Sequence, residues 1–206
     1  MKRNRIISLG GYCLTIVVLG ITGVPGSLAA AELVGHKALY TLRPGIFKNG
    51  GNFTGVDGNM EFSLEKGCAG WTMSQTLQMN LQLANGGELR QFHRYTGRES
   101  DDGTRYDFFS SSRTGNVRED FRGRAIMDSP GGPGNAVFRI PADKKIPLPQ
   151  GAKFLFGHTI FLIERAEAGD KLASAIVFDG TDDQGPQEVT AFIGRKQDVS
   201  EVIGKD

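Results

Sequence analysis

The sequence predicts an all-β protein, a large antiparallel sheet curled around one α-helix. Three observations carry this expectation: period-two alternation along most of the chain, turn dipeptides between the alternating runs, and one apolar segment that breaks the pattern. The clearest strand covers residues 71–83. Its odd positions read Trp, Met, Gln, Leu, Met, Leu, Leu and its even positions Thr, Ser, Thr, Gln, Asn, Gln. One face is apolar but for a single glutamine and the other is wholly polar, as a sheet buried on one side requires. Similar runs are expected at 37–42, 59–64, 88–95, 104–110, 117–121, 136–140, 172–178 and 189–193. Asn49-Gly50, Asp57-Gly58, Asn85-Gly86, Asp102-Gly103 and Asp179-Gly180 supply the positive φ that tight turns need. A sheet of many such strands must curl or close to bury its apolar face and hide its edges.

The exception is 156–168. Ile160, Phe161, Leu162 and Ile163 precede the helix formers Glu164, Arg165, Ala166, Glu167 and Ala168, and Gly169 stands where a C-cap belongs. The first half is apolar nearly all round, so the helix is expected to be enclosed on several sides. Just before it, Pro147 and Pro149 remove ladder donors, so 146–151 reads as a rigid lead-in, not a central strand. The Gly/Pro-rich stretch 129–135 is the best candidate for a mobile loop. No repeat or linker divides the chain, and 32–206 reads as a single β-rich domain.

Residues 1–31 have the build of a secretory signal peptide. Lys2, Arg3 and Arg5 form a basic start, an apolar stretch follows from Ile6 to Val24, and Pro25-Gly26 precedes Ser27, Ala29, Ala30 and Ala31. Cleavage is expected after Ala29 or Ala31. An uncleaved anchor is the alternative, although Gly10, Gly11 and Gly20 interrupt the apolar stretch. Tyr12 before Cys13 does not suit a lipobox. Cleavage removes three of the 24 Lys and Arg and none of the 23 Asp and Glu, leaving 21 against 23, a net charge of −2 instead of +1. A slightly acidic domain has no field to hold a polyanion, so nucleic acid is not an expected partner. The exported domain is expected to be soluble and to act outside the cytoplasm.

Little in the remaining residues points to chemistry. His36, His93 and His158 lie far apart with no metal-ligand spacing, and no metal or cofactor is expected. His158, beside Thr159, opens the predicted helix and is expected to hydrogen-bond at the helix N-terminus. Ser110, Ser111 and Ser112 lack a nucleophile elbow and read as strand-end serines. Asp101-Asp102 and Asp182-Asp183 fall in predicted turns, where carboxylates cap backbone donors. Glu119 and Asp120 point to opposite faces of one strand. Arg113, Arg118, Arg122 and Arg124 are the densest basic group. Interrupted by two acids, they read as a salt-bridged solvated face, with an anionic ligand such as a lipid head group as the alternative. Cys68, between Gly67 and Gly70 at a hairpin corner, is the single cysteine after the leader. It reads as an idle thiol or as half of a disulfide, with its partner on another chain or missing from this sequence.

Several stretches in order resemble one family. They are Leu33-Val34-Gly35-His36 followed by Ala38 and Tyr40; Gly58-Asn59-Met60 leading to Gly67-Cys68-Ala69-Gly70-Trp71; Leu148-Pro149, Gly151 and Phe154 running into His158-Thr159, Ile163, Ala166, Ala168 and Gly169; and Phe178-Asp179-Gly180-Thr181. The combination is similar to the EipB-like cell-envelope integrity proteins of alphaproteobacteria. The resemblance implies a periplasmic, non-enzymatic protein whose large antiparallel sheet is curled into a spiral or open barrel around one α-helix. It also implies that Cys68 is the N-terminal half of a disulfide whose partner lies near the family's C-terminus. This chain ends at Asp206 with no second cysteine there, so it is expected to be a shortened form lacking the last strands and the partner. The expected function is support of envelope integrity by binding an envelope protein or lipid. The alternative is a carrier of a lipid or other hydrophobic ligand.

Overall fold

The computed structural model describes residues 33–45 and 52–197. The leader expected at 1–31 and the Asn49-Gly50 turn lie outside these residues. Eight strands follow one another as an antiparallel meander: β1 (His36–Leu42), β2 (Phe53–Gly67), β3 (Gly70–Leu83), β4 (Glu88–Ser100), β5 (Arg105–Thr114), β6 (Val117–Met127), β7 (Gly134–Ile140) and β8 (Lys145–Leu148). One helix among the described residues, α1 (Leu155–Glu167), follows, and β9 (Leu172–Val177) pairs with β10 (Gln187–Phe192) in a separate two-stranded sheet. This is the predicted architecture, a large antiparallel sheet left open and one helix.

Asn85-Gly86 and Asp102-Gly103 turn the chain as expected, each glycine at positive φ. Asp57-Gly58 does not: it lies inside β2, paired with Asn80 and Met79 of β3. A Cβ on Gly58 would run into the Gln78 carbonyl oxygen, so the glycine admits a close strand approach instead of a turn. The segment read as a lead-in is partly a strand. Residues 145–148 form β8, with Ile146 and Leu148 buried, on the sheet edge where a proline is tolerated. The stretch 129–135 is tied by its own backbone bonds, from the Asp128 N–H to the Pro133 carbonyl and from the Gly132 N–H to Ser129.

Register sorts the side chains into two faces, because residues directly opposite one another share a face. From Trp71 the inner face runs through Glu99 and Tyr106 to Ala125, Ala136 and Ile146. The core occupies the β5–β8 part of this face. Tyr106, Phe108, Ala125, Met127, Ala136, Phe138, Ile146 and Leu148 pack there against Ala152, Phe154 and Phe178. Phe154 stacks on Tyr106 with centroids 5.1 Å apart, and Phe178 meets Phe108 edge-on at 5.4 Å. The Lys153 N–H donates to the Ile176 carbonyl and the Phe178 N–H to that of Lys153, tying β9 to the strand-like lead-in.

The helix ends as its sequence predicts. Gly169 has φ +84°, its N–H donates to the Ala166 carbonyl, and the Asp170 N–H donates to that of Arg165, a Schellman pair. Its enclosure is less than expected. Phe156 is the one buried helix residue, and Ile160, Phe161, Leu162 and Ile163 are all partly exposed. The sheet does not close over the helix, and basic side chains cover part of the deficit. Lys153 and Arg165 lie over the Phe161 ring at 5.0 and 5.2 Å from its centroid.

Candidate functional site

The inner face of β1–β4 is the unfinished part of the fold. Its cross-strand rows read Tyr40, Met60, Leu77 and His93, then Gly58, Met79 and Gln91, then Leu64, Met73 and Gly97. Phe62, between these rows, faces Gln75. Met60, Phe62, Met73, Leu77, Met79 and Leu81 are all partly exposed. Among the described residues α1 meets the main sheet at β4, with Trp71 of β3 stacked on Phe156 at 6.2 Å. The strip beyond is a partly exposed, mainly apolar surface rich in methionine, whose unbranched, polarizable side chains adapt to partners of varied shape.

The boundary between covered and open halves is a buried polar network. The helix N-cap residue, Phe154, offers no capping side chain, and the first turn holds no acid. Glu99 of β4 takes that role from across the fold. Its Oε2 accepts the Phe156 N–H at 2.8 Å and its Oε1 the Gly157 N–H at 3.1 Å, the two donors that an N-cap side chain ordinarily serves. Glu99 is 4% exposed. Burial pushes its carboxyl up to about 7, and the two N–H donors oppose that rise without cancelling it. Beside it Tyr106 donates to the Tyr95 hydroxyl, which donates to the Asp179 carbonyl at 2.7 Å. Burial raises both phenols.

The residues singled out by sequence fall in different places. His158 lies in the first helical turn, where its backbone N–H donates to Phe154. Its Nε2 is buried without a hydrogen-bond partner among the described residues, and burial, then the Lys153 charge, hold the ring low. The side chain that satisfies the helix N-terminus is Glu99. Cys68 is a free, exposed thiol at the β2–β3 corner. It should react with maleimide in the folded monomer, and Cys68→Ser should move stability by less than about 0.5 kcal/mol. A thiol that stays unlabelled without a dimer on a non-reducing gel would contradict this.

The turn acids divide their duties. Asp102 Oδ1 accepts from the Ser100 hydroxyl, the Thr104 N–H and the Thr104 hydroxyl, which lower its carboxyl to about 2. Asp182 likewise accepts the Gln184 N–H. Asp101 and Asp183 instead pair with lysines, Asp101 with Lys66 of β2 and Asp183 with Lys144 in the β7–β8 loop. In the basic group, Arg118 pairs with Asp120 and Arg124 with Asp107, while Arg113 and Arg122 have no carboxylate partner among the described residues. Glu119 and Asp120 face opposite sides, opposite Ser112 and Ser111.

The fold also makes one adjacency that the sequence did not suggest. His93 Nε2 lies 3.2 Å from Ser110 Oγ. Ser110 is 2% exposed, so no substrate carbonyl reaches it. Burial lowers the His93 ring and the Asp179 charge opposes this, but Asp179 Oδ1 is taken up by the Thr181 N–H and hydroxyl. The pair is a packed cross-strand bond beside the Tyr95 ring.

A family model described as EipB-like matches residues 27–205. This chain belongs to the EipB-like family. It is 24% identical over 213 aligned residues to the cell envelope integrity protein EipB of Brucella abortus (strain 2308), across 100% of this chain and 75% of that protein. Its fold matches, with a TM-score of 0.71 and 22% identity, the crystal structure of a β-barrel-like protein of a domain of unknown function from Brucella abortus. That match covers 85% of this chain and 75% of the other. The fold of this chain is thus similar to a barrel-like one, with the partly exposed inner strip beside the Glu99-capped helix.

Proposed function

We propose that this protein is a non-enzymatic periplasmic protein that supports cell-envelope integrity by binding another envelope component on the inner face of its sheet. The observation that carries the reading is the partly exposed apolar strip of Met60, Phe62, Met73, Leu77 and Met79. Such a surface is a liability on a solvated domain unless something covers it. Membership of a family with a relative named for envelope integrity supplies the cellular context. Binding rather than catalysis suits a face on which the serine beside His93 is buried.

A strain lacking the protein should be more sensitive to detergents and cell-wall antibiotics. Leu77→Asp with Met79→Asp should accumulate yet fail to restore resistance. Full rescue by that variant would contradict the inner-face reading. The methionine-rich character of the strip also favours a second reading, a carrier that holds an acyl chain there. Native mass spectrometry of protein isolated from its source separates the two. Co-purifying lipid lost in the Leu77/Met79 variant marks a carrier, and its absence marks a protein-binding module.

A further inference from the structure

The sheet face opposite the helix carries a second feature, a groove of about 840 Å³ across the ends of β2–β6. This is the volume of a small-molecule site. Four arginines line it, Arg90, Arg94, Arg113 and Arg118, over a floor that includes the partly exposed rings of Phe92 and Phe109. Two acids also line it, Asp57 and Glu88. Glu88 lies 3.5 Å from Arg90, and Asp57 accepts from the Asn80 amide at 3.2 Å.

The register concentrates charge here. Phe92, Arg113 and Arg118 stand directly opposite one another across β4, β5 and β6, with Arg94, Ser111 and Asp120 in the neighbouring row. Like charges facing across a ladder repel. Asp120 relieves only one of the two facing arginines. It takes the Arg118 Nε on both oxygens, at 3.2 and 3.0 Å, and the Ser111 hydroxyl at 2.6 Å. Arg113 and Arg94 have no carboxylate partner and no side-chain hydrogen bond among the described residues, and Arg94 rests over the Phe92 ring at 5.6 Å. Two unpaired guanidinium forks beside an aromatic floor are suited to an oxyanion with several acceptor oxygens and an apolar or sugar-like body.

We propose that this groove binds a phosphate group, with Arg94 and Arg113 as its ligands and Phe92 and Phe109 beneath the attached body. Its arginines stand on the sheet face opposite the apolar inner strip. The phosphate belongs either to a soluble phosphate ester or to the headgroup of an anionic lipid, and two probes separate these sources. One is glycerol phosphate, titrated into the isotope-labelled chain and followed by amide chemical shifts. The other is co-sedimentation with phosphatidylcholine vesicles made with and without phosphatidylglycerol. Saturable shifts centred on residues 90–94 and 111–118 assign a soluble ester. Sedimentation that needs phosphatidylglycerol, without such shifts, assigns a lipid headgroup.

In either case Arg94→Gln with Arg113→Gln should weaken binding at least about tenfold, and added salt should weaken it in the unaltered protein. Arg165→Gln, on the helix, should leave it unchanged. Both groove positions are exposed and Arg113 faces a like charge, so the double variant should fold with an unchanged or slightly raised Tm. Absence of saturable binding to either probe, or equal binding by the double variant, would overturn the proposal.

Discussion

Phe154→Ala should destabilise the fold by about 3–5 kcal/mol, the range for deleting a buried phenylalanine. Phe154 is 1% exposed, stacks on Tyr106 and is also the residue from which α1 starts. Truncation therefore opens a cavity under β5 and loosens the seat of the helix together. Urea denaturation measures the effect, with Phe192→Ala as the comparison. Phe192 is 87% exposed, and its truncation should change stability by less than about 0.5 kcal/mol. Similar losses for the two would place the core elsewhere.

Glu99 should make stability fall as pH rises through neutrality, the reverse of an ordinary paired carboxylate. Its folded-state value, about 7, lies above the ordinary 4.5, so the folded protein holds that proton more tightly than the unfolded chain does. The contribution is complete below about pH 4.5 and is lost as pH rises through about 7, by up to about 3 kcal/mol. His93 and His158 act in the opposite sense. Both are held low, so their contribution is present above 6.5 and lost as pH falls below it.

The comparison of unaltered protein with Glu99→Gln isolates the carboxyl. The amide retains one acceptor for the helix and cannot ionise. Glu99→Gln should gain on the unaltered protein steadily between pH 5 and pH 8. Glu99→Ala, which orphans the Phe156 and Gly157 N–H groups, should lose about 2 kcal/mol at pH 5. Thermal unfolding across this range checks both. Parallel profiles for the unaltered protein and Glu99→Gln would contradict a raised carboxyl.

What the sequence revealed follows from how local each signal is. β3 was legible because a wholly polar face alternates with an apolar one, and the end of α1 because Gly169 has one job there. The outer halves of β4 and β6 were not. Gly97, Arg98 and Glu99, and then Gly123 and Arg124, break the apolar alternation that the residues before them keep. Gly97 lies under the Tyr95 and Tyr106 hydroxyls and Gly123 against the Val137 carbonyl, so the glycines answer to neighbours, not to their own strand. Asp57-Gly58 misled for the same reason.

The candidate site was less legible still. The helix cap comes from Glu99, 57 residues before the N–H it receives, and no local pattern announces such a partner. His158, at the right place in sequence, drew attention that belonged to a residue on another element. The arginine groove was half visible. The run 113–124 marked it, but Arg90 and Arg94 enter from β4 through register alone.

Engagement of an envelope component by the inner face of β2–β4, as proposed, should leave a chemical trace in living cells. The most direct measurement places a photo-crosslinking amino acid at Leu77 on that face or at Ser74 on the opposite one, in cells relying on the variant. Leu77 should yield a discrete adduct, to protein or to lipid, that mass spectrometry identifies, and Ser74 should not. No adduct at Leu77, or the same adduct from both positions, would contradict the account.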